Sequence, residues 1–342
     1  MIKYIGSKRT LLPLICETIA ELAPAPTTVL DLFSGTSRVG HALKARGHRV
    51  VANDHNAYAH TLATCYVQAD DDLAAPAQQL VHEFNALRGE PGYVTQTFCK
   101  DSRFFQPKNG ERIDAIREAI AAKSRSGLLS SELEAVMLVS LMEAADRVDS
   151  TTGLQMAYLK DWAPRAHNDL ELRVPKLLPS PVTGKCRAMC QDALAAAAGP
   201  PVPIDIAYID PPYNQHSYLA NYHIWETLVR WDKPAHYGVA CKRADVRERN
   251  SLFNSRRTFC QAFEQLIAAV AAPILLVSFN DEGFLAREDA ERILSTRGRV
   301  RTLEREYKRY VGAQIGIYNP DGEKVGAVSH LRNKEFLFVV TP

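Results

Sequence analysis

Thr28-Val-Leu-Asp-Leu-Phe-Ser-Gly-Thr-Ser-Arg-Val-Gly40 carries the strongest fold signal in this chain of 342 residues. Its apolar start predicts a short buried strand that ends at Asp31, and Gly35 allows a tight turn into a helix that runs through Leu43. A strand, a glycine-containing loop and a helix in this order bind nucleotide-like cofactors in open α/β sheets. The stretch therefore predicts a Rossmann-like α/β sheet with a cofactor site at the carboxyl end of its first strand.

The loop after Asp31 differs from the common phosphate-binding motifs. Its glycines, Gly35 and Gly40, do not form GxGxxG, and no Gly-Lys-Ser/Thr follows. A carboxylate here repels a pyrophosphate but pairs with a cationic amine. The next strand ends at Asp54, 23 residues after Asp31, which is typical of an acid that binds a ribose diol. These features indicate S-adenosylmethionine; a dinucleotide is the alternative, and the missing glycines argue against it.

Asp210-Pro-Pro-Tyr213 directly follows the apolar run Ile204–Ile209. Two prolines stop both a strand ladder and a helix, so a rigid corner is expected at the carboxyl end of a strand. Such a corner holds a carboxylate close to an aromatic ring and suits a flat ring with an exocyclic amine. A proline-rich turn with a solvated Asp is the equally weighted alternative for this motif alone. Nearby polar and aromatic residues are either walls of the site or core residues: Asn214, Tyr218, Tyr222 and His223.

Taken together, the motifs resemble those of the Dam-like N6-adenine-specific DNA methyltransferases, the site-specific DNA adenine methylases. They occur in family order from residue 3 to about residue 340. The matching stretches are Lys3-Tyr-Ile-Gly-Ser-Lys8, Asp31-Leu-Phe-Ser-Gly-Thr36, Asn53-Asp54, Gln191-Asp192-Ala193, Asp210-Pro-Pro-Tyr213 and Val277-Ser-Phe-Asn-Asp-Glu-Gly283. Ala193 stands where the family often has an aromatic residue after the acid.

The resemblance implies an S-adenosylmethionine-dependent methyltransferase that acts on double-stranded DNA, with a restriction endonuclease as a partner that the sequence leaves open. It implies a monomer without a metal ion. The implied cofactor residues are Tyr4, Ile5, Gly6, Lys8, Asp31, Phe33, Ser34, Gly35, Thr36, Asp54 and Asp192. The implied catalytic residues are Asp210, Pro211, Pro212 and Tyr213, with the Tyr213 ring stacked on a flipped adenine.

Related activities remain alternatives. Cytosine N4, RNA adenine and protein glutamine are substrates of similar enzymes, and a catalytically silent DNA-binding relative is a further alternative. Cytosine-N4 enzymes usually have Ser, and glutamine enzymes Asn, at the position of Asp210, so this residue favours adenine.

The chain divides by its pattern of elements. Residues 1–56 and 181–342 have α/β character and are expected to form the catalytic domain. Residues 57–180 read mainly as helices and are the expected helical insert for target recognition. In Leu128–Val148, one helix face is apolar and is expected to be core. Further along, Ile315–Val328 alternates around Asn-Pro-Asp-Gly, which predicts a β-hairpin.

The net charge of +2 hides two basic segments. Lys233–Arg257 holds seven basic residues against two acidic ones, and Arg297–Arg309 holds six against two. Concentrated positive charge is typical of surfaces that bind a phosphate backbone, while a solvated charged loop is the alternative for each segment alone. The candidate DNA-binding residues are Lys242, Arg243, Arg247, Arg256, Lys308 and Arg309.

Composition is that of a globular protein, with 46% hydrophobic residues. No apolar run approaches the ~20 residues of a membrane helix, and the start of the sequence lacks a signal-peptide pattern, so the expected location is the cytoplasm. Seven scattered cysteines indicate a reducing compartment. Cys186 and Cys190 lack a second pair and are read as structural.

Overall fold

A computed structural model describes residues 1–6, 8–249, 251–308, 317–318, 324–326 and 332–342. Its strands, in chain order, are β1 (Thr28–Asp31), β2 (Arg49–Asn53), β3 (Arg187–Met189), β4 (Ile206–Ile209), β5 (His236–Tyr237), β6 (Lys242–Arg243), β7 (Ile274–Asn280), β8 (Arg299–Lys308), β9 (Ile317–Tyr318), β10 (Lys324–Gly326) and β11 (Arg332–Thr341).

The α-helices are α1 (Leu12–Leu22), α2 (Arg38–Lys44), α3 (Ala57–Ala63), α4 (Ala74–Asn85), α5 (Pro107–Arg125), α6 (Ser131–Val148), α7 (Ala193–Ala198), α8 (Tyr218–Asn221), α9 (His223–Arg230), α10 (Phe259–Ala269) and α11 (Arg287–Leu294). Two π-helical turns, Thr64–Gln68 and Thr95–Lys100, extend the helical region. Single 3₁₀ turns occupy Lys8–Thr10, Asp71–Leu73, Pro164–His167, Ala244–Arg247, Leu252–Asn254 and Ser295–Arg297.

Seven strands form one sheet in the order β3-β2-β1-β4-β7-β11-β8. The first five in this order are parallel, and β11 runs antiparallel to both β7 and β8. The chain proceeds outward from β1 in one direction through β2 and β3, and in the other through β4 and β7. The strand order thus reverses between β1 and β4, where open α/β sheets bind ligands. The predicted Rossmann-like α/β sheet is confirmed.

The central strands are apolar on both faces because helices cover both. On one face, Leu30, Ala207 and Leu275 pack with α10, and on the other, Val29 and Ile206 pack with α1 and α2. Buried parallel strands of this kind read as continuous apolar runs. The polar residues that end β1 and β4 therefore project from the edge of a rigid, dry layer.

The short connection from β1 to α2 depends on a close approach at Gly40. A Cβ there would lie 2.9 Å from Val67 Cγ2 and 3.2 Å from Asp31 Oδ2. The Gly40 N–H instead donates to Asp31 Oδ2 at 3.1 Å. Glycine at this position lets the helix pack against Asp31 and supply that carboxylate with a donor.

Residues 57–180, which are all described, contain helices, turns and a single β-bridge between Asp70 and Leu178. The predicted apolar face of α6 is buried. The core of this region includes Phe104 and Met137 and continues into Trp225 of α9. The helical region therefore packs as one layer with the segment that follows residues 210–213.

Two details complete the comparison with the sequence. The hairpin expected within Ile315–Val328 is present as the antiparallel pair β9 and β10, and its turn, residues 319–323, lies outside the described residues. Strand β3 escaped the sequence patterns because only three residues pair. Within the described ranges, no helix is long and apolar enough to cross a membrane.

Candidate active site

A cavity of about 1040 Å³, counted with its open mouth, lies at the carboxyl ends of β1, β2 and β4. Its wall includes every cofactor residue expected from the sequence except Ile5: Tyr4, Gly6, Lys8, Asp31, Phe33, Ser34, Gly35, Thr36, Asp54 and Asp192. Asp210 and Pro212 line the same cavity. Segments near residues 4, 31, 54, 192 and 210 thus meet at one place because parallel strands end at one edge of the sheet.

Asp31, at the end of β1, is a buried acid with 1% of its surface exposed. The pKa of Asp31 is raised to about 7, mainly because burial removes the carboxylate from water. The hydrogen bond from the Gly40 N–H lowers this pKa, and the nearby carboxylates of Asp210 and Asp54 raise it. Within the described part of the chain, no basic side chain forms an ion pair with Asp31. The site therefore presents a buried carboxyl group that a cation in the cavity would ionise.

The loop after Asp31 is shaped by backbone hydrogen bonds. Ser34 N–H donates to the Asn53 carbonyl at 2.9 Å, and Gly35, at φ +50°, donates its N–H to Asp54 Oδ2 at 3.1 Å. The Ser34 hydroxyl is buried, lines the cavity and has no hydrogen-bond partner among the described residues. This orphaned group leaves a polar position for a ligand.

Asp54 is fixed from two sides at the end of β2. Oδ2 accepts from Gly35, while Oδ1 accepts from the Asn56 N–H at 3.0 Å and the Asn56 side chain at 3.2 Å. Burial raises the pKa of Asp54, and the hydrogen bonds from Asn56 and Gly35 counter that rise. The carboxylate is thus preoriented, with lone pairs left for hydroxyl donors.

The corner at residues 210–213 is held by an ion pair that reaches back to the start of the chain. Lys8 Nζ lies 3.0 Å from Asp210 Oδ1 and also binds Glu335 Oε1. Burial raises the pKa of Asp210 to about 6, and the ammonium of Lys8 opposes that rise. Lys8 was expected to bind a cofactor; its resolved partners are these two carboxylates.

Tyr213 and Pro211 are placed differently from Asp210. As far as residues are described, the cavity wall contains Pro212 but neither Pro211 nor Tyr213. The Tyr213 hydroxyl accepts from Asn280 Nδ2 at 3.0 Å, and its ring centroid lies 5.9 Å from that of Phe279. In this conformation Tyr213 packs on β7 beside the cavity.

Tyrosines from distant segments stack over the cavity. The Tyr4 ring lies between Tyr218 and Tyr222, with centroid distances of 5.3 and 4.5 Å, and its hydroxyl lies 3.1 Å from that of Tyr58. The Ile5 N–H donates to the Tyr222 hydroxyl at 2.6 Å, which ties the N-terminal segment to this stack. Tyr218 lines the cavity, whereas Tyr222 is buried in the core.

His223 and Asp192 also have resolved structural contacts. His223 is fully buried, its ring bonds the Gln155 carbonyl at 2.9 Å, and burial lowers its pKa to about 3. It is a core residue, which settles the alternative left open by the sequence. Asp192 is exposed at the cavity and accepts from the N–H groups of Leu194 and Ala195 at the start of α7.

The basic residues expected to contact DNA divide into two groups. Arg243 is 2% exposed, and its guanidinium pairs with Asp232 and Asp245 at 2.7 and 3.0 Å, so its assignment as a DNA-contacting residue is wrong in this structure. The net charge of the segment could not show that this cation was already neutralised. Arg247 and Arg256 are exposed, with Arg247 Cζ 3.8 Å from the Tyr237 ring centroid.

The remaining basic residues that were expected to contact DNA are half-buried or lie outside the residues that the structure describes. Lys242 is half-buried. Arg309 and the side chain of Lys308 lie outside what the structure describes. Arg249, which the sequence did not single out, lines the cavity and pairs with buried Glu226 at 2.8 Å. A single arginine in a basic segment gives no signal that distinguishes a cavity residue from a surface residue.

Sequence comparisons relate the chain to known proteins. A model of the family described as D12 class N6 adenine-specific DNA methyltransferase matches residues 4–270. Type II methyltransferase M.FokI of Planomicrobium okeanokoites is 30% identical over 326 residues, 90% of this chain and 49% of its own length. Type II methyltransferase M.NlaIII of Neisseria lactamica is 27% identical over 342 residues, 97% of this chain and 99% of its own.

Type II methyltransferase M.CviAII of Paramecium bursaria Chlorella virus 1 is 27% identical over 330 residues, 94% of this chain and 96% of its own length. The chain thus spans about half the length of M.FokI and nearly all of the other two relatives.

The raised pKa of Asp31 predicts a pH-dependent stability of the ligand-free protein. An acid with a higher pKa when folded contributes stability below its unfolded pKa and loses it as pH rises through the folded value, here from about 4 to about 7. Asp31→Asn should remove up to about 4 kcal/mol of that loss. Urea unfolding at pH 5 and pH 8 checks this, with a substitution of the exposed Asp72, Asp72→Asn, as the control. The same change in the free energy of unfolding between the two pH values in wild type and Asp31→Asn would contradict it.

Proposed function

The chain belongs to the D12 class N6 adenine-specific DNA methyltransferases, and from that premise we propose that it transfers a methyl group from S-adenosylmethionine to the N6 amine of an adenine in duplex DNA. The proposal includes a role as the modification methylase of a restriction-modification system. The observation that carries it is the meeting of Asp31, Asp54 and Asp210 in one cavity.

The residues of the cavity fit the proposed cofactor. Asp31 offers a buried carboxyl group without an ion-pair partner in the described ranges, which suits the cofactor's ammonium. Asp54 suits a ribose diol, and the unpartnered Ser34 hydroxyl suits the cofactor's carboxylate. Phe33 and Asp192 line the same cavity and would contact the adenine moiety. When bound, S-adenosylmethionine supplies an electrophilic methyl group.

Asp210 is proposed to make the acceptor nitrogen reactive. The lone pair of an aromatic exocyclic amine is delocalised into its ring, so the free amine is a poor nucleophile. The Asp210 carboxylate accepts a hydrogen bond from one N–H, and a backbone carbonyl of the Pro-Pro corner accepts the other. These bonds favour a pyramidal nitrogen, and the carboxylate offsets the positive charge that develops in the transition state.

The pKa of about 6 leaves Asp210 mainly ionised at neutral pH. Its role needs charge and position more than basicity, so a value near 3.9 would also serve. The adenine must leave the duplex to reach this carboxylate, at a cost of a few kcal/mol. We assign the stacking role to Tyr213, which would have to turn from Asn280 toward the base, and to Tyr218, which already lines the cavity.

The DNA-facing parts are proposed from charge and packing. Exposed Arg247 and Arg256 lie on either side, in sequence, of Arg249, Ser251, Phe253 and Asn254, which line the cavity. Both arginines suit phosphate contacts. Residues 57–180 are proposed to carry target recognition. Their core is shared with α9, which follows the catalytic corner, so this layer and the corner are held together.

The first experiment incubates the protein with S-adenosylmethionine and mixed-sequence duplex DNA, then identifies modified nucleosides by mass spectrometry. N6-methyladenine is expected from the wild type. Asp210→Ala should lower the rate about 10²- to 10³-fold, because the amine loses its acceptor and the transition state its counter-charge. Calorimetry should show that this variant keeps its cofactor affinity. N4-methylcytosine or no methylated nucleoside would contradict the proposal.

Asp54→Ala should weaken cofactor binding about 10- to 100-fold, because charge-assisted hydrogen bonds contribute about 1.5–3 kcal/mol. Isothermal titration with S-adenosylmethionine measures the change. Asn56→Ala, which keeps the Asp54 carboxylate but removes one side-chain hydrogen bond that orients it, should weaken binding less. An affinity unchanged by Asp54→Ala would remove this residue from the site.

Arg256→Gln and Arg247→Gln should each weaken DNA binding similarly for all sequences and reduce the slope of log K against log salt by about 1. Fluorescence anisotropy at several salt concentrations tests this. Arg243→Gln, which breaks a buried ion pair, should instead lower the midpoint of urea unfolding. A salt slope that falls for Arg243→Gln but not for Arg256→Gln would reverse the assignment.

A further inference from the structure

Glu335 joins the last strand of the sheet to the catalytic corner. It lies on β11, is 4% exposed, accepts from Ser278 Oγ at 3.1 Å and binds the ammonium of Lys8. The same ammonium lies 3.0 Å from Asp210 Oδ1. Two carboxylates from β11 and from the end of β4 thus share one buried cation from the N-terminal segment.

We propose that Glu335 is a positioning residue for methyl transfer, which holds Lys8 beside Asp210 while leaving the cluster negatively charged. This inference rests on the proposed function, in which Asp210 faces the acceptor amine. Neither the motifs nor the family match, which ends at residue 270, pointed to Glu335.

The charge of the cluster explains why a second acid is useful. Lys8 alone would fix Asp210 but neutralise it, leaving little field for a developing cation. With Glu335, two carboxylates and one ammonium leave one negative charge beside the acceptor nitrogen. Without Lys8, the two acids would repel each other and one would bind a proton.

The pKa shifts agree with this geometry. Burial alone would lower the pKa of Lys8, but Asp210 and Glu335 outweigh it and raise that pKa well above its usual value. For Asp210, burial raises the pKa, Lys8 lowers it and Glu335 raises it. Among the residues that the structure describes, the other titratable groups that act on this corner are the acid Asp31 and the phenols of Tyr208, Tyr213 and Tyr218.

Single-turnover methylation at saturating cofactor tests the proposal across pH 5–9. Glu335→Gln should lower the plateau rate about tenfold, which is less than the loss of a group that contacts the transition state would cost. It should also move the acidic limb of the pH–rate profile about one pH unit lower, because Asp210 loses a repelling charge. Lys8→Met should move the limb to higher pH. Cofactor affinity should change little in Glu335→Gln. An unmoved limb, or an unchanged plateau rate, would overturn the proposal.

Glu304→Gln is the matched control. Glu304 is an exposed acid on neighbouring β8, pairs in register with Phe336 and binds Lys334 at 2.6 Å. Its substitution removes the same charge from the same edge of the sheet without touching Lys8, and should leave the rate and the limb unchanged.

A second readout needs no activity. In the cofactor-free protein, ionisation of Asp210 lowers the free energy of unfolding as pH rises through about 6. Asp210→Asn removes this dependence on pH. Urea unfolding of a double-mutant cycle of Asp210→Asn and Glu335→Gln measures the coupling between the two residues. In the Glu335→Gln background, the change in unfolding free energy that depends on Asp210 should occur at lower pH. If the effects of the two substitutions on the unfolding free energy add at every pH, the coupling is contradicted. If Glu335→Gln does not fold, Ser278→Ala, which removes the hydroxyl that donates to Glu335 and holds it in place, should give the same changes in smaller amount.

The two proposals fail in different ways. A wild type that makes no N6-methyladenine contradicts the proposed function, while the unfolding cycle still tests the link between Glu335 and Asp210. A wild type that methylates adenine, with Glu335→Gln identical to it, contradicts only the positioning role.

Discussion

Several carboxyl groups are buried at one edge of the sheet, and the other contacts of the site stabilise them there. Asp31, Asp54 and Asp210 end neighbouring parallel strands, and burial raises the pKa of each. The chain treats the three differently: Asp31 receives one backbone N–H, Asp54 receives donors from Gly35 and Asn56, and Asp210 receives a lysine. Their environments therefore distinguish an acid open to a cation, a preoriented acceptor and an ionised carboxylate at the proposed catalytic corner.

The fold and much of the cavity were predictable because their signals are local. A strand, an acid and a glycine turn are adjacent in sequence, and parallel strands end at the same edge of a sheet, so Asp31, Asp54 and Asp210 were expected at one edge. The strand order β2-β1-β4, which makes the three neighbours, came from the fold. Glu335 was not predictable in this way. It reaches the site through the antiparallel pairing of β11 with β7, and an apolar strand with one acid gives no sign of which side chain that acid will meet.

Basic and aromatic residue types predicted the location of site residues less well than the ends of strands did. Arg243 belongs to a basic segment, but the local fold of that segment turns its guanidinium inward, onto Asp232 and Asp245. Tyr213 follows the prolines as expected, yet its hydroxyl bonds Asn280 on β7. In both cases the residue type was visible in the sequence, and the partner that decides its role came from the fold.

The pairing of Lys8 with Glu335 also bears on how the enzyme is made. The two residues are 327 positions apart, and a domain generally folds as a unit, so its sheet needs every strand to have been synthesised. The cofactor loop and the Asp210 corner are synthesised well before β11, so a nascent chain holds Asp210 and Lys8 without their third member. Only when β11 inserts between β7 and β8 does the cluster gain its excess negative charge. The last-synthesised strand of the sheet would then set when a growing chain becomes a competent catalyst.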